Sequence, residues 1–232
     1  DPDGIVISVS DPPTMDGAAR RAIAAGIPII AANAADPRPA DERIPYLFYV
    51  GSDERTAGQA AAWEVLKVKP DIQVVGLATS ALGAVQLEAR MAGARDILEP
   101  KGVDVITVEV TDDVTKVKER TRAHFTARPD TEGWITMGNV PMVPIGREYF
   151  LEEGLSPVMV TFDFSPDTPE YLADGTLSGA IDQQIWLQGY EPIHWLYMYN
   201  KYGFGLGGDI LTGPFVVTTE NVDFIVEGIE AG

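Results

Sequence analysis

Apolar residues along this chain follow two alternating spacings. Short uninterrupted runs rich in Val and Ile occur at 4–9, 27–32, 46–50, 72–78, 103–110, 134–137, 158–162 and 177–181. Runs of this length with few polar interruptions predict strands buried on both faces of a parallel sheet. Between them lie longer stretches with helical spacing, at 15–25 and 86–98. In the second of these Leu87, Met91, Ala94 and Leu98 share one face, and later in the chain Ile193, Leu196 and Tyr197 do the same; both faces are expected to pack into a core. Punctuation agrees with this reading. Asp112 and Asp113 open a helix, Gly26 and Gly154 close two others, and Pro28 bars continuation of the first. Strand and helix in this rhythm define an α/β fold built from βαβ units.

Composition narrows the possibilities. A hydrophobic fraction of 45% over 232 residues supplies enough apolar surface for one large core or two smaller ones. With 35 acidic against 17 basic residues the net charge is -18, which disfavours nucleic acid or an anionic membrane as a partner. The chain has no cysteine, and so no disulfide, thiol nucleophile or zinc–thiolate site. No run approaches the roughly 18 apolar residues of a membrane span, and the first residues lack the basic start of a signal peptide.

Catalytic chemistry finds little support. His124 and His194 are the two histidines, and neither has a Ser or acidic neighbour in a hydrolase or metal-site spacing. Both read as ordinary helix residues. The carboxylate pairs Asp112-Asp113 and Glu152-Glu153 are explained by a cap and a solvated helix end. The glycine-rich segment 203–208 neither follows a strand nor opens a helix, so it reads as a connection rather than a phosphate cradle. No catalytic residue, cofactor or metal is expected.

Polar residues placed just beyond strand ends are more informative, because open α/β sheets bind ligands there. Asn33 follows 27–32, Asn139 follows 134–137, Asp163 follows 158–162 and Gln183 follows 177–181, while Arg90 lies within the helix 86–98. Each alone is also accounted for as a turn, cap or helix residue. Together, a carboxylate, amides and a guanidinium supply the paired donors and acceptors that match vicinal hydroxyls, the chemistry of sugar recognition.

Several segments carry a family resemblance. Ala25-Gly26-Ile27-Pro28-Ile29-Ile30, Gly51-Ser52-Asp53, Val160-Thr161-Phe162-Asp163 with Pro166-Asp167, and Gly179-Ala180-Ile181-Asp182-Gln183-Gln184 with Gln188-Gly189-Tyr190 resemble the periplasmic ribose and galactose binding proteins. That family shares its type I fold with the effector domains of lac-repressor-type regulators. The likeness runs essentially from end to end. It implies two lobes, each a parallel sheet flanked by helices: 1–53 with 184–210 as the first, and 54–183 with 211–232 as the second. Crossings are implied near Asp53, Gln183 and 209–211. The family opens with two strand–helix units before the strand that 4–9 resembles, so the resemblance implies an incomplete first lobe, an uncovered edge at 4–9 and a chain that is part of a longer protein.

Carried over position by position, the resemblance makes Asp163 the ligand-binding carboxylate, Gln183 the hinge glutamine, Arg90 a second-lobe arginine and Asn139 a second-lobe asparagine. Asn33-Ala34 stands where ribose binders carry Asp-Arg, and Asp112 replaces an aromatic, so a ligand other than ribose is implied. Phe164 and Trp186 are weaker candidates for stacking on a sugar face, since core or hinge packing explains them more simply. The implied function is that of a periplasmic, monomeric solute-binding component of an ABC-type importer. It would close on a monosaccharide or polyol in the cleft between its lobes and deliver it to a membrane permease. The alternative implied is an effector-binding domain of a lac-repressor-type regulator.

Overall fold

A computed structural model describes residues 2–138 and 141–231. The chain divides into two compact units, one of Asp1–Asp53, Gly83–Glu88 and Gln183–Gly213, the other of Glu54–Leu82, Ala89–Asp182 and Pro214–Gly232.

The first unit is built on a parallel sheet of β1 (Ile5–Ile7), β2 (Ile29–Ala32), β3 (Tyr49–Ser52) and β9 (Ile210–Gly213), in that order. Helix α1 (Pro12–Ala24) starts from Asp11, whose carboxylate accepts from the Thr14 N–H and hydroxyl. Successive residues of β2 face opposite ways. Ile29 and Ala31 pack with Ala19 of α1 together with Val9, Ile44 and Tyr49. Ile30 packs with Phe48, Val50 and Leu196 of α7 (Ile185–Tyr202). Each face of the sheet thus meets a helix, which is why β2 is buried at every position.

The second unit carries a six-stranded sheet in the order β10 (Phe215–Val217), β8 (Gly179–Asp182), β7 (Val158–Phe162), β6 (Gly133–Thr136), β4 (Val74–Thr79), β5 (Asp104–Glu109). All its neighbours are parallel except the antiparallel pair of β10 and β8. One face packs on α4 (Val114–Ala127), α5 (Met142–Glu153), α6 (Thr168–Ala173) and the start of α8 (Val222–Ala231). Trp134 sits at its centre, within 5.2 Å of Phe125 and 6.5 Å of Phe150. Helix α2 (Glu54–Val68) buries Ala57, Gly58, Ala61, Ala62 and Val65, and α3 (Val85–Leu98) buries Leu87, Met91, Ala94 and Leu98. The expected face of α3 is therefore the observed one.

Helix α7 departs from expectation. Its buried row is Gln188, Pro192 and Leu196, while Ile193 and Tyr197 are 62% and 53% exposed. The apolar residues of this helix outnumber the positions that face the sheet, so spacing alone picked the wrong neighbours for Leu196. Among the described residues no helix is long and apolar enough to cross a membrane.

Candidate functional site

In the first unit, polar side chains gather at the C-terminal edge of the sheet. Asn33 directly follows β2. Its backbone N–H donates to the Val50 carbonyl at 3.0 Å, and its own carbonyl accepts from the Tyr49 hydroxyl at 2.9 Å. The same hydroxyl lies 3.1 Å from the Ser52 carbonyl, and its ring covers Gly51 so closely that a Cβ there would collide with it. The Asn33 amide nitrogen donates to Gln188 at 3.3 Å and to Gln183 at 3.5 Å, and its oxygen accepts from the Ser8 hydroxyl at 3.4 Å. Gln183, 2% exposed, is held from behind, where its carbonyl accepts from Thr212 Oγ1 at 2.7 Å and from Gln188 Nε2 at 3.0 Å. Gln188 also donates to Thr212 at 3.1 Å. This network ties the side chains of Asn33, Gln188 and Thr212 and the Gln183 backbone to one another.

In the second unit, the ends of β6 and β7 carry a charged group. Arg90, 3% exposed, donates from Nε and Nη2 to the two carboxylate oxygens of Glu54 at 2.6 and 3.1 Å, and from Nη1 to the Met137 carbonyl at 2.6 Å. Its guanidinium lies 4.4 Å from the centre of the Phe162 ring. Phe162 is the last residue of β7, and Asp163 follows it, with its N–H on the Ile181 carbonyl at 2.9 Å. A carboxylate oxygen of Asp163 is 4.0 Å from where a Cβ on Gly138 would stand. Arg90 and Asp163 are thus brought to one sheet edge from helix and strand.

Backbone strain marks the same edges. Among the described residues, four non-glycines adopt the left-handed region: Asn33 (φ 65), Thr111 (φ 63), Asp163 (φ 70) and Gln184 (φ 53). Every one lies within two residues of a strand's C-terminus, after β2, β5, β7 and β8. Asn and Asp tolerate this conformation through their short polar side chains, whereas Thr and Gln do not gain that relief, so the placement is held by the surrounding fold. Two hydroxyls, Ser52 Oγ at the end of β3 and Thr79 Oγ1 at the end of β4, are buried without a protein partner among the described residues.

The remaining candidates fall elsewhere. Phe164 is partly buried against the second unit's core. Trp186 is 73% exposed and stacks on Tyr190, ring centres 5.0 Å apart. Asn139 lies outside the described residues. Sequence reasoning did not find Glu54, Gln188 or Thr212. Glu54 opens α2 and reads as a dipole-stabilising acid, and the pairing that shows otherwise spans 36 positions. Among the described residues no cluster of three or more His, Cys, Asp or Glu is placed to hold a metal.

Each unit is a mainly parallel sheet flanked by helices, with amides at the strand ends of the first and a guanidinium and a carboxylate at those of the second, which is where α/β architectures bind ligands. Residues 1–203 match the family described as periplasmic binding protein domain, and the chain belongs to that family. It is 28% identical over 228 residues to the xylose/arabinose-binding protein of Sulfolobus acidocaldarius, an alignment covering 93% of this chain and 55% of that protein. The chain therefore spans about half the length of this curated relative. Among solved structures it resembles a carbohydrate transporter from Acidothermus cellulolyticus 11B in complex with myo-inositol, with a TM-score of 0.87 and 32% identity over 99% of this chain and 78% of that one. It also resembles an ABC transporter solute-binding protein from Burkholderia graminis C4D1M in complex with D-arabinose, with a TM-score of 0.85 and 26% identity over 95% of this chain and 76% of that one.

Proposed function

We propose that this chain is the ligand-binding part of a periplasmic carbohydrate importer of the ABC type, and that it takes a monosaccharide or polyol. The observation that carries the reading is the group at the ends of β6 and β7, where a buried guanidinium with spare donors stands beside the Phe162-Asp163 step. Arg90 and Asp163 are the charged ligand contacts proposed in the second unit, and Asn33 and Gln183 the amide contacts proposed in the first. Alternating donors and acceptors of this kind suit a ligand whose hydroxyls both give and accept. The sugar and cyclitol ligands of the two solved relatives support the same class.

Calorimetry of the chain against pentoses, hexoses and myo-inositol tests the proposal. At least one is expected to bind, and Asp163→Asn or Asn33→Ala is expected to weaken it by about 10- to 100-fold, the cost of one charge-assisted or buried hydrogen bond. Silence across the whole panel would reject the carbohydrate reading.

A further inference from the structure

Arg90 sits where a ligand would meet it, yet it is no free cation. Glu54 grips it through both carboxylate oxygens, and both residues are almost wholly buried, at 3% and 9% exposure. The helices that carry the two side chains meet through close backbone contacts. Gly58 of α2 lies against the Arg90 carbonyl, and Gly93 of α3 lies against the Arg55 carbonyl, each so close that a Cβ would overlap the facing oxygen. These reciprocal contacts hold the start of α2 against the middle of α3 and fix Glu54 opposite Arg90. Three of the five guanidinium N–H groups are engaged, by Glu54 twice and by Met137 once. Among the described residues, one proton on each terminal nitrogen has no protein acceptor.

We infer that Glu54 is a specificity-determining residue: by cancelling the charge of Arg90 while leaving its donors directed, it makes this sheet edge a site for neutral hydroxylated ligands that discriminates against their anionic derivatives, the sugar acids and sugar phosphates. An arginine facing a carboxylate or phosphate ligand alone would favour the anion through its fork of donors. With Glu54 bonded to it and Asp163 nearby, an incoming anion meets a pair of zero net charge and a second carboxylate, while a hydroxyl still finds an oriented donor. In a buried setting one unit of charge is not screened away by solvent. The inference rests on the carbohydrate reading and adds the charge class of the ligand to it.

The test pairs probes that differ by one anionic group, D-xylose with D-glucuronate and myo-inositol with myo-inositol 1-phosphate. Binding is measured by calorimetry to the 232-residue chain and to its E54Q and E54D variants. Wild type is expected to take the neutral member of a pair. E54Q is expected to shift the neutral-to-anion affinity ratio toward the anion by about 10- to 100-fold, whereas E54D, which keeps the charge, retains the wild-type preference. A purely structural carboxylate would weaken both members equally in E54Q, and an unchanged ratio, or a wild type that prefers the anion, overturns the inference.

A second measurement needs no sugar. Thermal unfolding in sulfate and in chloride at equal ionic strength should show an added stabilisation by sulfate in E54Q that wild type and E54D lack; equal responses overturn the role of Glu54. If E54Q does not fold in either salt, E54Q combined with R90K carries the same uncompensated cation on a flexible stem, and the same change of preference is expected from it. Failure of wild type to bind any neutral probe counts against the carbohydrate reading alone, and the sulfate comparison still decides the role of Glu54.

Discussion

Asp36 shows how one side chain can organise a long irregular stretch. It is buried, yet its carboxylate accepts from Arg38 Nε at 2.9 Å, Arg38 Nη2 at 2.7 Å, the Arg38 N–H at 3.1 Å and the Ile44 N–H at 2.9 Å. Burial alone would raise its pKa, but these donors outweigh it and bring the value from 3.8 to about 2. A depressed carboxylate stabilises the fold above its unfolded pKa and loses that contribution as pH falls through the folded one. Asp36→Asn should therefore cost about 2 kcal/mol at neutral pH by urea unfolding, with the gap to wild type closing as pH is lowered from 3.8 toward 2. A gap that stays constant with pH would mean that the carboxylate charge is not what matters. His124 titrates with the same sign for a different reason. Burial beside Trp134 and Phe125, with Arg128 adding repulsion, holds its pKa below 6.5. The fold excludes its proton, so below 6.5 this residue draws on stability, and His124→Gln should flatten that part of the stability profile. Asn33 and Asp163 stand out in the sequence as polar types at strand ends, and Arg90 as a candidate within a helix. What the sequence does not show is pairing with a distant partner, Arg90 with Glu54 or Gln188 with Thr212.

Helix α2 illustrates why some elements escape a hydrophobic pattern. Its buried face is made largely of Ala57, Gly58, Ala61 and Ala62, small residues that let α3 approach but give little contrast with the exposed face. Strands 46–50 and 177–181 were recognised within three residues of their observed ends, and 158–162 matched fully, because Val and Ile runs need no partner to be seen. The short strands β9 and β10 were missed, since runs of four and three residues carry too little signal; β9 also includes Thr212 and Gly213 and is fixed by pairing with β3 some 160 positions earlier. The α2–α3 crossing makes a sharp prediction. Gly58→Ala or Gly93→Ala should destabilise the chain by about 2–3 kcal/mol, because the added methyl meets backbone that cannot move aside without parting the helices. The control is Gly189→Ala in α7, where nothing lies within 4 Å and removal of chain entropy should stabilise by about 0.5–1 kcal/mol. Denaturation midpoints that order these variants otherwise would refute the close-approach account.

At the scale of the whole molecule, two opposing features set behaviour in solution. The charge of -18 repels copies of the chain from one another. Against this, α7 exposes Trp186, Tyr190, Ile193 and Tyr197, and β1 forms an edge of its sheet among the described residues. Repulsion dominates at neutral pH and low salt, where its range is long, but it fades when salt shortens that range or when pH approaches the isoelectric point near 4.3. Light scattering should then show a dispersed protein that associates as either variable is changed. If the α7 surface drives the association, Ile193→Glu with Tyr197→Lys must suppress it. That pair leaves the net charge unchanged, so the comparison isolates apolar area from charge. Both side chains are largely exposed, so the unfolding midpoint should hold. Association undiminished in the double variant would move the responsible surface away from α7, leaving the β1 edge as the next element to interrupt.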